Sequence, residues 1–166
     1  TYGKKAGATF TSGNYTYKVT TAATEDTNGK VAVTKLSAKG KKAKTLSVPN
    51  TVKSSGATYT VSAINANVFK AAKATSVTLG TGVTKIASSA FANCKKLTKL
   101  VVNGKLSSVA ENAFKGCTKK ITLSGSSVDA NAKKIKAAGV KSIKKVYTPM
   151  FAAKYAISEL ASGKAG

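Results

Sequence analysis

Between residues 59 and 123, apolar side chains return on a fixed schedule. Phe69, Phe91 and Phe114 are 22 and 23 residues apart, and Ile64, Ile86 and Val109 keep the same two intervals, as do Val61, Val83 and Leu106. Leu79 matches Val102, Val77 matches Leu100, and Ala90 matches Ala113. Within one interval the pattern changes character. "TSVTLG" (75–80) alternates Val77 and Leu79 with Ser76 and Thr78, the period of a half-buried strand. Gly80 and Gly82 turn the chain. "VTKIA" brings Val83 and Ile86 back to the apolar side, and "SSAFANC" sets Ala90, Phe91 and Cys94 at helical spacing behind Ser88 or Ser89 as N-cap. One such unit cannot cover its own apolar face, so neighbours must stack upon it.

Stacking units of 22–23 residues make a short array with a β-rich α+β solenoid as its expected architecture. Phe69, Phe91, Phe114, Ile64, Ile86, Val109, Cys94 and Cys117 then form the ladder of its core. The alternate strand positions Ser76, Thr78, Lys99, Val101, Lys120 and Thr122 are expected to point outward from neighbouring coils, as a candidate binding face or as a plain hydrophilic sheet surface. The repeats are assigned to residues 59–125.

The flanks carry different patterns. In "ATFTSGNYTYKVT", Phe10, Tyr15, Tyr17 and Val19 alternate around Ser12-Gly13-Asn14, and Asn28-Gly29 is a strong hairpin-turn signal before Val31, Val33 and Leu36. A further pair of strands is expected around Ser54-Ser55-Gly56, with Pro49 limiting pairing where it falls. Residues 1–58 are therefore read as a β-hairpin cap on one end of the array. At the other end, Ser126-Ser127-Val128-Asp129 resembles a capping box, Val128, Ala132 and Ile135 share a helical face, and Gly139 stops the helix. "VKSIKKVY" adds a strand, so 126–147 is expected to be a helix-strand cap. Residues 148–166 share nothing with the repeat; Met150, Ala153, Lys154 and Ile157 suggest a short amphipathic helix in a tail or linker.

Composition then removes whole classes of function. The 166 residues are 42% hydrophobic, enough for a folded core, and no apolar run approaches the roughly 18 residues that cross a bilayer. Starting at Thr1 without a charged-then-apolar leader, the chain is expected to have had any secretion signal removed or left off. Histidine is absent, so there is no imidazole base or ligand. Of the five acids, Glu25, Asp26, Glu111, Asp129 and Glu159, only the first two are neighbours, in a turn. No phosphate loop or nucleophile elbow is present. We expect no enzyme activity, no metal and no cofactor.

Net charge is +23, and all 28 basic residues are lysine. Lysine is a hydrated point charge without arginine's planar fork. Such a surface predicts salt-sensitive attraction to polyanions, or simply a solvated coat, and no specific nucleic-acid site. Cys94 and Cys117 occupy equivalent points of successive units. With coils about 4.8 Å apart a disulfide is within reach, while buried free thiols are the alternative.

The stretch "VTKIASSAFANCKKLTKLVV" followed by "LSSVAENAFKGC", with its doubled Ala-Phe-x-x-Cys phrase, resembles the BspA-type leucine-rich repeat of bacterial surface and secreted proteins. The likeness covers about Tyr59 to Leu123; the first unit departs from it, with Val68 before Phe69 and Ala72 in place of cysteine. The resemblance implies a non-catalytic binding or adhesion module, located extracellularly or on the cell wall. Its expected partner is a cell-surface protein or an anionic cell-wall polymer. Electrostatic retention on wall polyanions and a spacer role within a longer protein are the competing functions. Membrane insertion is not expected.

Overall fold

The computed structural model describes residues 3–147. Two antiparallel strands open the chain, β1 (Thr9–Ser12) and β2 (Tyr15–Thr21). Their two-residue turn, Gly13-Asn14, has Gly13 at φ +58°, where a side chain would be strained. β3 (Gly29–Leu36) pairs antiparallel with β2, but Asn28-Gly29 is not the turn between them. The connection takes residues 22–28, and Gly29 is the buried first residue of β3. A Cβ there would meet the Thr21 carbonyl oxygen at 2.5 Å and the Tyr59 ring at 2.6 Å. Close approach, rather than turn geometry, requires this glycine.

After a short helix, α1 (Ala38–Lys42), comes β4 (Thr45–Ser47). β5 (Thr51–Ser54) and β6 (Ala57–Ile64) then form a hairpin whose two turn residues, Ser55 and Gly56, sit at φ +51° and +78°. This double positive φ suits the twist of the flanking strands. The remaining strands are β7 (Ser76–Leu79), β8 (Lys85–Ile86), β9 (Lys99–Val102), β10 (Ser108–Val109) and β11 (Ile121–Gly125). A second helix, α2 (Val128–Ala137), and β12 (Ile143–Lys145) follow.

The strands divide between two sheets. One runs β1-β2-β3-β6-β8-β10 with β5 beside β6; it is antiparallel at its start and parallel from β3 to β6 onward. The other, β12-β11-β9-β7-β4, is parallel throughout. From β3 to β11 the chain thus alternates between sheets, with the β5–β6 hairpin as a single visit to the first. β4 was expected among hairpins; it lies instead beside β7, with Leu46 opposite Val77 and both fully buried. Its three-residue alternation fits the parallel sheet because only Leu46 points inward.

The segment around Phe91 was expected to carry a helical turn, and among the described residues it forms only tight turns. Its backbone donors are directed sideways: Phe91 N–H donates to Ala113 O at 2.7 Å and Asn93 N–H to Lys115 O at 2.8 Å. Those groups are no longer free for a helical ladder. α2 is the exception, a regular helix burying Val128, Asn131, Ala132 and Ile135. Ser127 does not cap it. Its backbone lies at φ +49° and its side chain makes no capping bond, because capping needs an extended backbone at that position.

The core lies between the sheets, filled by Phe69, Phe91 and Phe114 among aliphatic residues from both. The amphipathic pattern proposed for Met150, Ala153, Lys154 and Ile157 falls outside the described residues.

Candidate binding surface

The parallel sheet offers its outer side as two rungs of aligned residues. Register places Thr45, Ser76, Lys99, Thr122 and Lys144 in one row. Ser47, Thr78, Val101 and Ser124 make the next. Each strand turns its intervening residue inward, so Leu46, Val77, Leu100 and Leu123 anchor the row from below. Ser76, Thr78, Val101 and Thr122 are half-buried, and Lys99 is exposed. Lys120 is not in this lattice. It immediately precedes β11, exposed in the turn, because the 23-residue spacing that aligns Cys94 with Cys117 and Lys99 with Thr122 makes it the equivalent of Leu97, two residues short of the row. Ser124 is the partner of Val101 instead. Sequence spacing missed Ser124, along with Thr45, Ser47 and Lys144 on the outer strands; the alternation within "ITLSG" was the available signal for Ser124.

Beneath this face the units lock rung by rung. Phe69 and Phe91 stack with centroids 4.7 Å apart at 6°, and Phe91 and Phe114 at 4.8 Å and 2°. Ile86 pairs with Ile64 and Val109, of which Val109 is half-buried. Cys94 and Cys117 are buried free thiols. Each donates to the preceding unit, Cys94 Sγ to Phe69 O at 2.9 Å and Cys117 Sγ to Phe91 O at 3.0 Å. A hydrogen bond with the Cys117 thiol, together with burial, holds the Cys94 thiol well above its ordinary pKa. A protonated, enclosed thiol is a structural filler rather than a nucleophile.

The remaining chemistry is sparse. Among the described residues no His, Cys, Asp or Glu cluster can hold a metal. Asp129 is exposed and accepts from Lys145 Nζ at 3.0 Å and from the Tyr147 hydroxyl at 2.8 Å. The Lys145 hydrogen bond comes first in holding that carboxyl below its usual range. Burial pushes the Tyr17 phenol up to about 12. No helix of the described residues is long and apolar enough to cross a membrane. What the outer face can do is donate and accept hydrogen bonds and attract negative charge.

A family model described as the BspA type leucine rich repeat region, in six copies, matches residues 39–149. The match begins ahead of β4, in keeping with that strand's place in the parallel sheet. A search of the curated proteins found no match. Among solved structures, a leucine rich cell surface protein from Faecalibacterium prausnitzii A2-165 aligns with TM-score 0.54 and 18% identity over 86% of this chain. This chain spans 44% of that protein. A leucine-rich repeat protein from Bacteroides capillosus aligns with TM-score 0.52 and 21% identity, over 83% of this chain and 98% of its own. At such identities the likeness shows the fold, a leucine-rich-repeat type with mixed sheets and few helices.

Proposed function

Because the chain belongs to the BspA-type leucine-rich repeat family, we propose that it is a non-catalytic binding module of a bacterial cell-surface or secreted protein, working outside the cell. Its array is then a short solenoid, with residues 1–58 and 126–147 covering the ends of the repeats 59–125. The observation that supports binding is the outer side of the parallel sheet. Five strands hold Thr45, Ser76, Lys99, Thr122 and Lys144 in one register, a row of hydroxyl and ammonium groups on a rigid base. A rigid, preorganised row binds with little ordering cost, so modest polar contacts suffice. The partner it suits is a polar, hydroxyl-rich or acidic surface of another protein.

The test is binding of labelled protein to intact bacteria and to host-cell surface glycoproteins at a salt concentration that screens charge. We expect saturable binding that is lost when Ser76→Gln, Thr78→Gln and Thr122→Gln are combined, since these leave the charge unchanged while filling this row and the next. Binding that survives the triple variant would overturn the assignment to this face. No binding to either surface would favour a spacer.

A further inference from the structure

The lysines are not spread evenly over the molecule. Counting back three residues from the aligned strand positions Thr45, Ser76, Lys99, Thr122 and Lys144 gives Lys42, Lys73, Lys96, Lys119 and Lys141. Every unit of the parallel sheet thus carries a lysine at the same point, where the chain enters its strand. All five are exposed. Backbone bonds tie neighbouring units together on both sides of the row's middle. On the strand side, Thr75 N–H donates to Lys44 O at 2.8 Å, Thr98 N–H to Thr75 O at 2.9 Å and Thr122 N–H to Thr98 O at 2.8 Å. On the turn side, Ala71 N–H donates to Ala92 O and Asn93 N–H to Lys115 O, both at 2.8 Å. With rungs about 4.8 Å apart, the row runs about 19 Å along the sheet edge.

Two adjoining depressions meet this row at Lys73 and Lys96. One, of about 470 Å³, is lined by Lys73, Lys95 and Lys96 with Asn93. The other, of about 400 Å³, is lined by Lys35, Lys41, Lys70 and Lys73. They share Lys73 and the small side chains of Ala71 and Ala72, which leave the floor low between ammonium groups. No carboxylate of the described residues lines either depression. Among the described residues the ion pair formed is Lys145 with Asp129, which lies at α2 and β12, beyond both depressions.

We propose that this lysine row is a binding edge for a flexible, linear polymer of phosphodiesters, laid along the sheet edge across the coils. A line of like charges on a rigid base has its complement in a line of opposite charges, whose condensed counterions are released on contact. The chemistry of the edge narrows the polymer. Lysine meets phosphate as a point charge and needs no fixed orientation. Single-stranded nucleic acid needs aromatic platforms for its bases. The exposed large apolar side chains among the described residues, Val146 and Tyr147, line neither depression. This edge is distinct from the hydroxyl face above and does not depend on it.

The decisive measurement is the affinity of the full chain for poly(glycerol phosphate), followed by fluorescence anisotropy between about 50 and 200 mM salt. Sulfated glycan and oligothymidine of matched charge serve as competitors. Five neutralised phosphates predict a log–log salt slope of about −3.5, at about −0.7 per contact. Replacing Lys42, Lys73, Lys96, Lys119 and Lys141 by Gln is expected to remove most of that slope and at least about tenfold in affinity. A control with Lys18, Lys30, Lys53, Lys85 and Lys133 replaced by Gln has the same net charge and should stay within about threefold of the parent. Equal losses in the two variants would reduce the edge to diffuse charge and overturn the proposal. So would oligothymidine or sulfated glycan displacing the polymer at lower concentration, or no binding at the lowest salt. The triple Gln variant of the hydroxyl face should bind the polymer as the parent does, so failure of that face leaves this result intact.

Discussion

Phe91 lies fully buried between two parallel rings, each under 5 Å away. Truncating it to Ala removes both contacts and leaves a void that rigid strands on either side cannot close. The expected cost is about 3–5 kcal/mol, a drop in melting temperature of roughly 10 °C for a domain of this size; an unshifted melt would contradict the stack. Tyr15 predicts the opposite sign. Its hydroxyl is buried without a hydrogen-bond partner among the described residues. Desolvation, and secondarily Tyr17, raise its pKa far above the ordinary phenol value. Tyr15→Phe keeps the edge contact with Phe69 and removes an orphaned polar atom. Stability should be unchanged or rise by about 1 kcal/mol, and a clear fall in denaturant midpoint would mean that the hydroxyl is satisfied. The phenylalanines were legible in the sequence because identical large residues recur at one interval. Asn131 was not. It is fully buried, accepts from Leu106 N–H at 2.9 Å, and donates to Gly104 O and Ser126 O at 3.0 and 2.9 Å. A lone amide on a lysine-rich helix looks solvated, and only the tertiary path brings three loop backbone groups around it.

At the scale of elements, the limits of sequence reading follow from who supplies the hydrogen bonds. Apolar alternation located β7, β9 and β11 because side-chain period alone defines a half-buried strand. It could not say that β4 joins the same sheet, since a three-residue strand with one inward leucine looks the same in a hairpin or beside β7. Helical spacing misled at Phe91, where the Phe91 and Asn93 N–H groups are engaged by the next unit and the chain settles for turns. The last unit has α2 because the chain there meets a different neighbour: Phe114 N–H donates to Ala138 O at the helix end, and the helix packs over β10, β11 and β12. Entry to that helix is strained. Ser127 is left-handed, at φ +49°, with no capping bond in return. Glycine adopts that conformation without the Cβ clash, so Ser127→Gly should stabilise by about 1 kcal/mol. Thermal unfolding followed by far-ultraviolet dichroism measures it, and a lower melting temperature would show that the hydroxyl holds a contact worth more than the strain.

For the molecule as a whole, the fold and its charge are in tension. A net charge of +23 on 166 residues, with Lys145–Asp129 the ion pair among the described residues, must repel itself more strongly when compact than when unfolded. Two ammonium groups about 4 Å apart repel by only about 1 kcal/mol in water, so no single pair decides stability, but a row repeated at every coil sums many such terms. The apolar core outweighs them because it lies between two sheets, away from the lysines, which among the described residues are exposed or at most half-buried. Screening should therefore stabilise the protein. Raising sodium chloride from about 10 mM to about 200 mM shortens the Debye length from about 30 Å to under 10 Å, and the melting temperature should climb by several degrees. Chloride keeps this separate from the surface exclusion that sulfate would add. Replacing the five ladder lysines by Gln should raise the low-salt melting temperature and shrink the further gain on adding salt, because the same repulsion has been removed chemically. A melting temperature that falls with sodium chloride would mean that attractive pairs dominate after all, and the lysines would have to be placed as partners in the fold instead of charges held out from it.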